Sequence, residues 1–490
     1  MRELLKRLLK ISTGYGMVQW AGPLLSFVFI PIITRILTPS DYGIADLVLT
    51  IGSAVGMLAL FAQPQALLTH FNDRPSDIWR RHVVGSSLTL SLLIGIPTSL
   101  LLITQASAIS QATFHTSEQT VLFQIIGATT AFGLCGAILT AASQAALRVR
   151  WGIALGLGTI IGTVVGNCVF IIILRLGAAG LVLTQATTGI LVCLLAIVVA
   201  RPLIGAPSPD LVKLMTRSGA ILLPAMLSGW ALTLADRLFL VQYVSTTDLG
   251  YYAIANKITG LLHIALTPIY AAWMALALSI QREPDARQRY AEVSRYIIGA
   301  ALAAALMLGL FATEILTVMT RPAYLPAAQY IGFLAYAQVF TAFGAVMTTG
   351  ALASKQLSAV SLTTAAGAIV NLILNALLIP RFGVWGATIA TVIGYGVPEV
   401  LLYFIIQKRY PIPYPVGRLL AALLIQFVLL GLGTMLPPLR FPIGIVIKLA
   451  LFAMLLLAFV LLGIITRFEL QQSVLFVRHQ ARQSLDRLRR

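Results

Sequence analysis

Charge is scarce in this chain. Of its 490 residues only 10% are Asp, Glu, Lys or Arg, and only 16 are acidic. A soluble globular chain carries roughly 25% charged residues. The shortage runs the whole length, which excludes a soluble domain of any size. Cysteine is equally sparse: Cys135, Cys168 and Cys193 all fall inside apolar runs, without metal-ligand spacing or an extracellular setting. They read as small helix-packing residues. Asp-x-Asp, Gly-x4-Gly-Lys-Ser/Thr and His-Glu-x2-His are all missing, so nothing signals nucleotide or metal chemistry. His70, His82, His115 and His263 show no paired spacing. Without a nucleotide motif, energy for any transport comes from an ion gradient, the membrane potential or substrate flow.

What the chain has instead is apolar length. Hydrophobic residues make up 59% of it, and runs long enough to cross about 30 Å of hydrocarbon recur throughout. In lipid such runs are helical, because each backbone group must be satisfied within its segment. Fourteen spans are expected, near 14–34, 43–66, 83–105, 120–143, 152–174, 178–200, 217–241, 251–279, 293–313, 326–352, 357–379, 385–407, 417–436 and 443–466. Met1–Lys10 is short and basic, and the apolar run after it continues past Leu25 without a small-residue cleavage site. It reads as leading into a retained first span.

The net charge of +18 follows the spans. With the N-terminus placed in the cytoplasm, 26 of the 34 Lys and Arg fall in cytoplasmic segments, five in outer ones and three within spans. That alternation is the positive-inside pattern. It puts both termini inside, and it explains the basic balance by topology and contact with anionic membrane lipids, with no need for nucleic acid.

The two halves resemble each other. ITRILTPSDYGIADLV around Asp41 parallels FLVQYVSTTDLGYYAIAN around Asp248. Arg175, Gly177 and Gly180 parallel Arg381, Gly383 and Gly386. The offsets, 207 and 206, indicate one unit of about six spans used twice. Six is even, so the copies run parallel about an axis along the membrane normal, with a substrate site expected at their interface. The expected organisation is a cytoplasmic amphipathic N-terminus at 1–12, an N-lobe at 13–205 and a C-lobe at 206–412. Two extra spans follow at 413–466, then a basic amphipathic cytoplasmic tail at 467–490 that suits the inner membrane surface.

The segments ITRILTPSDYGIADL, SGWALTLADRLFLVQYVSTTDLGYYAIANKI and LIPRFGVWGATIATVIGY resemble the polysaccharide-exporter branch of the multidrug/oligosaccharidyl-lipid/polysaccharide (MOP) superfamily, the Wzx-like O-antigen and oligosaccharide-lipid flippases. The resemblance covers essentially the whole chain. It implies an all-α fold of two six-helix lobes forming a V, alternating access, an inner-membrane location and no enzymatic activity. It implies a substrate oligosaccharide on a polyprenyl pyrophosphate, such as an O-antigen or exopolysaccharide repeat unit. Polysaccharide polymerase and glycosyltransferases are the implied partners.

An ionised side chain at mid-bilayer costs about 2.5–3.5 kcal/mol on insertion scales, so such residues need a watery cavity or a partner. The candidates are Asp46, Asp236, Arg237, Lys257 and Glu399. A pyrophosphate wants cations offering several donors. Lys257, Arg237 and Arg35 are therefore the candidate pyrophosphate ligands. Two other roles compete: Arg35 as a residue snorkelling to headgroups, and Arg237 as the structural partner of a carboxylate such as Asp46. Arg175 and Arg381 occupy equivalent turns, which favours a structural role. Asp236 together with Asn371, Asn375, Thr388 and Thr391 forms a candidate Na+ or proton coupling site. The related lipid II flippases carry a cation site on the corresponding three helices. Asn375 stands where a second carboxylate is expected there, and ordinary bonding between helices is the competing role. Gln63, Gln65 and Asn72 are weaker candidates for sugar hydroxyls. Gly158, Gly162 and Gly166 read as close helix packing, and Pro23, Pro64, Pro224 and Pro268 as kinks.

Three other functions stay open. A membrane glycosyltransferase or polymerase needs a sizeable outer loop rich in carboxylates, and the outer loops here are short with few acids. A drug or organic-cation antiporter of the same fold wants carboxylates and aromatics in its cavity, and the charge count alone does not decide against it. A lipid II-type peptidoglycan precursor flippase shares the two extra spans.

Overall fold

The computed structural model describes residues 27–435 and 443–465. Among the described residues every regular element is helical. In chain order the helices are α1 (Phe27–Ile36), α2 (Pro39–Leu60), α3 (Gln63–His70), α4 (Asp77–Thr104), α5 (Ala106–Phe114) and α6 (Thr120–Ala145). Then come α7 (Val149–Gly166), α8 (Ala178–Ala200), α9 (Pro209–Leu234), α10 (Asp236–Tyr243), α11 (Thr246–Ile280) and α12 (Ala286–Leu310). The last are α13 (Ala312–Met319), α14 (Ala328–Ala353), α15 (Leu357–Phe382), α16 (Val384–Arg409), α17 (Val416–Met435) and α18 (Ile443–Leu461). Thirteen candidate spans, single helices or adjoining pairs, are long and apolar enough to cross a membrane. They coincide with the second to fourteenth expected spans. α1 is the described end of the first. This is a multi-pass membrane protein. The expected amphipathic segments 1–12 and 467–490, and Pro23, lie outside the described residues.

The described residues divide into two compact units. One takes in everything up to Lys257, together with Leu316–Ala327 and Thr364–Gly394. The other takes in Ile258–Ile315, Ala328–Thr363 and the chain from Tyr395 onward.

Within the first unit the start of α2 shows how sequence sets the fold. Thr38 caps the helix: its hydroxyl accepts from the Asp41 amide while the Asp41 carboxylate takes the Thr38 amide. This reciprocal pair satisfies two donors that a helix start leaves free. Ser245 and Asp248 make a similar contact at the start of α11: the Ser245 hydroxyl accepts from the Asp248 amide at 3.1 Å and donates to its carboxylate at 2.7 Å. The two starts also meet. A Cβ on Gly43 would lie 2.3 Å from the Thr246 carbonyl oxygen, and one on Gly250 would lie 1.9 Å from that of Pro39. Only glycine permits this approach. Ser40 and Thr246 hydroxyls join across it at 2.6 Å. Equivalent residues of the two sequence copies thus face each other.

α7 packs on α8 as expected, with Gly158, Gly162 and Gly166 against Leu195, Thr188 and Thr184. Pro224 and Pro268 lie inside α9 and α11. Pro64 is different. The expected kink there is a full break, with Phe61 and Ala62 both left-handed (φ 51° and 53°) and Pro64 in the first turn of α3. The break is held by Gln63, whose amide nitrogen donates to the Phe61 and Met215 carbonyls at 3.2 Å each. Gln63 is completely buried. It is a structural clamp, which corrects its assignment to sugar hydroxyls.

Candidate functional site

The centre of the site is a charged chain of contacts inside the first unit. α9 ends at Leu234 and α10 restarts at Asp236, so a helix junction presents Asp236 and Arg237 together just past the candidate span Pro209–Leu234. Arg237 donates from Nε to Asp46 Oδ2 at 2.6 Å and from Nη1 to Asp236 Oδ1 at 3.0 Å. It also reaches the Thr233 carbonyl at 3.1 Å. Tyr252 on α11 donates its hydroxyl to Asp236 Oδ2, and Thr391 on α16 donates to the same oxygen at 3.4 Å. The Tyr252 ring lies 5.7 Å from the guanidinium carbon. Asp236 and Arg237 are 2% and 5% exposed. Two carboxylates and one guanidinium leave this cluster with one excess negative charge. A buried charge is tolerated when paired and hydrogen-bonded in this way.

Lys257 lies about three turns into α11, an exposed side chain without an ion pair or hydrogen bond among the described residues. Asp46 is the acidic side chain whose field reaches it. Asp46 is partly exposed and engages only Oδ2, leaving Oδ1 free. It lines a cavity of about 480 Å³ among α2, α6 and α8. Arg35 is exposed and makes no hydrogen bond or ion pair among the described residues.

The expected coupling residues separate into pieces. Asp236 and Thr391 come together, and Tyr252 joins them. Asn375 donates its amide to the Asn371 oxygen at 3.0 Å, and both residues are buried. The Asn371 amide nitrogen and the Asn375 oxygen are buried without a partner among the described residues. Thr388 bonds back to the Val384 carbonyl at 2.9 Å. In the second unit, Glu399 on α16 packs against Gly344 of α14, where a Cβ would lie 2.6 Å from Oε1. Its Oε2 is buried without a partner. Arg175 and Arg381 are exposed at their turns. Nothing in the sequence marks Tyr252, because a tyrosine in an aromatic-rich span looks like packing until Asp236 is seen facing it.

Residues 8–274 match the family described as "Polysaccharide biosynthesis protein", which is more than half of the chain. The chain belongs to the polysaccharide biosynthesis protein family. A curated relative, an uncharacterized membrane protein of Methanocaldococcus jannaschii (MJ1068), is 33% identical over 106 residues. That match spans about a fifth of either protein. Among solved structures, a lipid II flippase MurJ in an inward closed conformation aligns with a TM-score of 0.68 at 13% identity, over 92% of this chain and 99% of that one. An inward-facing multidrug resistance MATE transporter of the MOP superfamily aligns with a TM-score of 0.64 at 15% identity, over 81% and 94%. A MOP superfamily transporter from Pyrococcus furiosus aligns at 0.53 with 13% identity, over 82% and 95%. At these identities the likeness is one of fold. This family member therefore shares its fold with a flippase and with transporters.

Proposed function

We propose that this protein is a flippase that carries an oligosaccharide on a polyprenyl pyrophosphate across the inner membrane by alternating access. The observation that carries the reading is Lys257. An exposed, unpaired ammonium at membrane depth has to find an anion. The acidic groups nearest in the chain of contacts are already held by Arg237. A diphosphate headgroup offers that anion, and charge-assisted bonds to phosphate oxygens are strong. Arg35 serves as a second, outer cation. Arg237 acts indirectly, by holding Asp46 and Asp236. The family description, polysaccharide biosynthesis, supports a glycan as cargo. O-antigen or exopolysaccharide repeat units are the substrates proposed, with polymerase and glycosyltransferases as functional partners.

A drug or organic-cation antiporter fits less well. Both Asp236 oxygens are engaged, so an organic cation would have to displace Arg237 or Tyr252 to reach that acid. Ion coupling through Asp236, Thr391, Thr388, Asn371 and Asn375 belongs to the proposal in one form: an incoming Na+ or proton competes with Arg237 for Asp236. A lipid II-type precursor flippase is the second reading. It shares the diphosphate chemistry, and the MurJ likeness covers nearly the whole of both chains.

The test is a substrate panel in proteoliposomes. Polyprenyl-pyrophosphoryl oligosaccharide, a polyprenyl-pyrophosphoryl muropeptide and an organic cation are supplied separately, and transbilayer movement is measured. Movement of the oligosaccharide alone supports the main reading. Preference for the muropeptide supports the second. Movement of the cation alone overturns both.

A further inference from the structure

We propose that the cavity beside Asp46 is the compartment that holds the sugars of the cargo during transport. This rests on the reading that the cargo is a lipid-linked oligosaccharide, and it assigns the sugar end to α2, α6 and α8. The cavity measures about 480 Å³, within the roughly 300–1,000 Å³ of small-molecule pockets. Asp46, Thr50, Ser53, Thr129, Thr130 and Gln185 contribute polar groups to a lining that is otherwise apolar, with Leu49, Ile126, Leu134, Val182, Ala186 and Leu234.

These groups are open to a ligand. Thr50 lines the cavity, and its hydroxyl makes no hydrogen bond among the described residues, so it can donate and accept there. Gln185 is exposed to the cavity and its amide makes no hydrogen bond among the described residues, offering donors and an acceptor. Thr129 and Thr130 donate to carbonyls of their own helix, which leaves their oxygens as acceptors, while Ser53 donates to the Thr50 carbonyl. Asp46 Oδ1 is a further acceptor. Sugar hydroxyls both donate and accept, and a mixed lining of this sort matches them.

The space is built in as well. Gly56, Gly133 and Gly189 line the cavity, and a Cβ on any of them would meet nothing within 4 Å. They differ from Gly52, which is tight against Ile126. Glycine at these three positions is therefore not demanded by helix packing, and its effect is to keep room. Trp230 on α9 donates its indole N–H at 3.1 Å to Ser53, a lining residue, which fixes its flat ring beside that residue. A ring with one polar edge suits the apolar face of a sugar.

The experiment compares two cargoes in proteoliposomes: a polyprenyl pyrophosphate carrying a full oligosaccharide, and the same carrier with one sugar. The readout is the ratio of their flipping rates. Gly133→Leu and Gly189→Leu fill the cavity, and each is expected to lower the long-to-short ratio by tenfold or more. Gly417→Ala, in open space on α17 away from the cavity, leaves the ratio unchanged. Should the leucine variants fail to fold, Thr50→Val and Gln185→Ala remove polar groups without adding bulk. Each is then expected to raise KM for the long cargo several-fold. A ratio that stays at the wild-type value in the filled variants, or an unchanged KM in the polar ones, overturns the compartment. Wild-type protein that moves neither cargo overturns the parent reading itself, and the compartment with it.

Discussion

Arg237 and Asp46 are 191 residues apart in the chain and 2.6 Å apart in space. The same guanidinium, itself buried, binds Asp236, so one arginine holds two carboxylates where an unpaired charge is costly. Removing the arginine and removing one acid are therefore unequal changes.

Arg237→Gln strands two partly or fully buried carboxylates. The expected loss of stability is about 3–5 kcal/mol. Asp46→Asn leaves Arg237 held by Asp236 and keeps a hydrogen-bond acceptor, with an expected loss of about 1 kcal/mol. Thermal unfolding of the purified variants in detergent checks the order. Equal effects would show that the pairing is not what holds this junction.

Tyr252→Phe deletes the hydroxyl that donates to Asp236. A hydrogen bond to a charged group contributes about 1.5–3 kcal/mol. The variant is expected to lose that much stability while Thr391→Val, whose bond is 3.4 Å long, loses less. Chemical unfolding monitored by intrinsic fluorescence measures both.

Gly43→Ala and Gly250→Ala drive a methyl group into backbone on the opposing helix start. Overpacking typically costs about 1–3 kcal/mol, and here backbone rather than a flexible side chain must yield. Little folded protein is expected from either variant. Gly56→Ala, at an open position, is expected to express at the wild-type level. Size-exclusion profiles of the three variants give the comparison.

If a coupling ion competes with Arg237 for Asp236, then Asp236→Asn uncouples transport from the gradient. Flipping by that variant is expected to proceed at one rate with and without an imposed Na+ or proton gradient. A wild-type response to the gradient in the variant would remove Asp236 from coupling.

Much of the fold was legible in the sequence because the bilayer imposes it. Apolar runs of fixed length mark spans, and thirteen of the expected fourteen coincide with candidate spans among the described residues. The internal repeat was legible too, since Thr38–Asp41 and Ser245–Asp248 are local motifs that fold alike. Charges inside spans pointed to Asp46, Asp236, Arg237 and Lys257 because each must be answered by something. What answers them is tertiary. The 2.6 Å contact of Arg237 with Asp46 matches the carboxylate pairing that sequence offered as a competing role. The part of Tyr252 is invisible without the fold. Small hydroxyls such as Thr50 carry no one-dimensional signal, since a threonine in a span usually satisfies itself on its own helix. The break at Phe61 and Ala62 was hidden because neither residue favours a left-handed backbone.

The most direct test of the account is the flipping rate of a polyprenyl-pyrophosphoryl oligosaccharide by Lys257→Ala, beside Lys257→Arg, in proteoliposomes. Loss of a charge-assisted contact worth about 1.5–3 kcal/mol predicts a slowing of roughly ten- to a hundredfold for alanine. Arginine, which keeps the charge, is expected to retain most of the rate. Alanine moving the substrate at the wild-type rate would contradict a diphosphate held by Lys257.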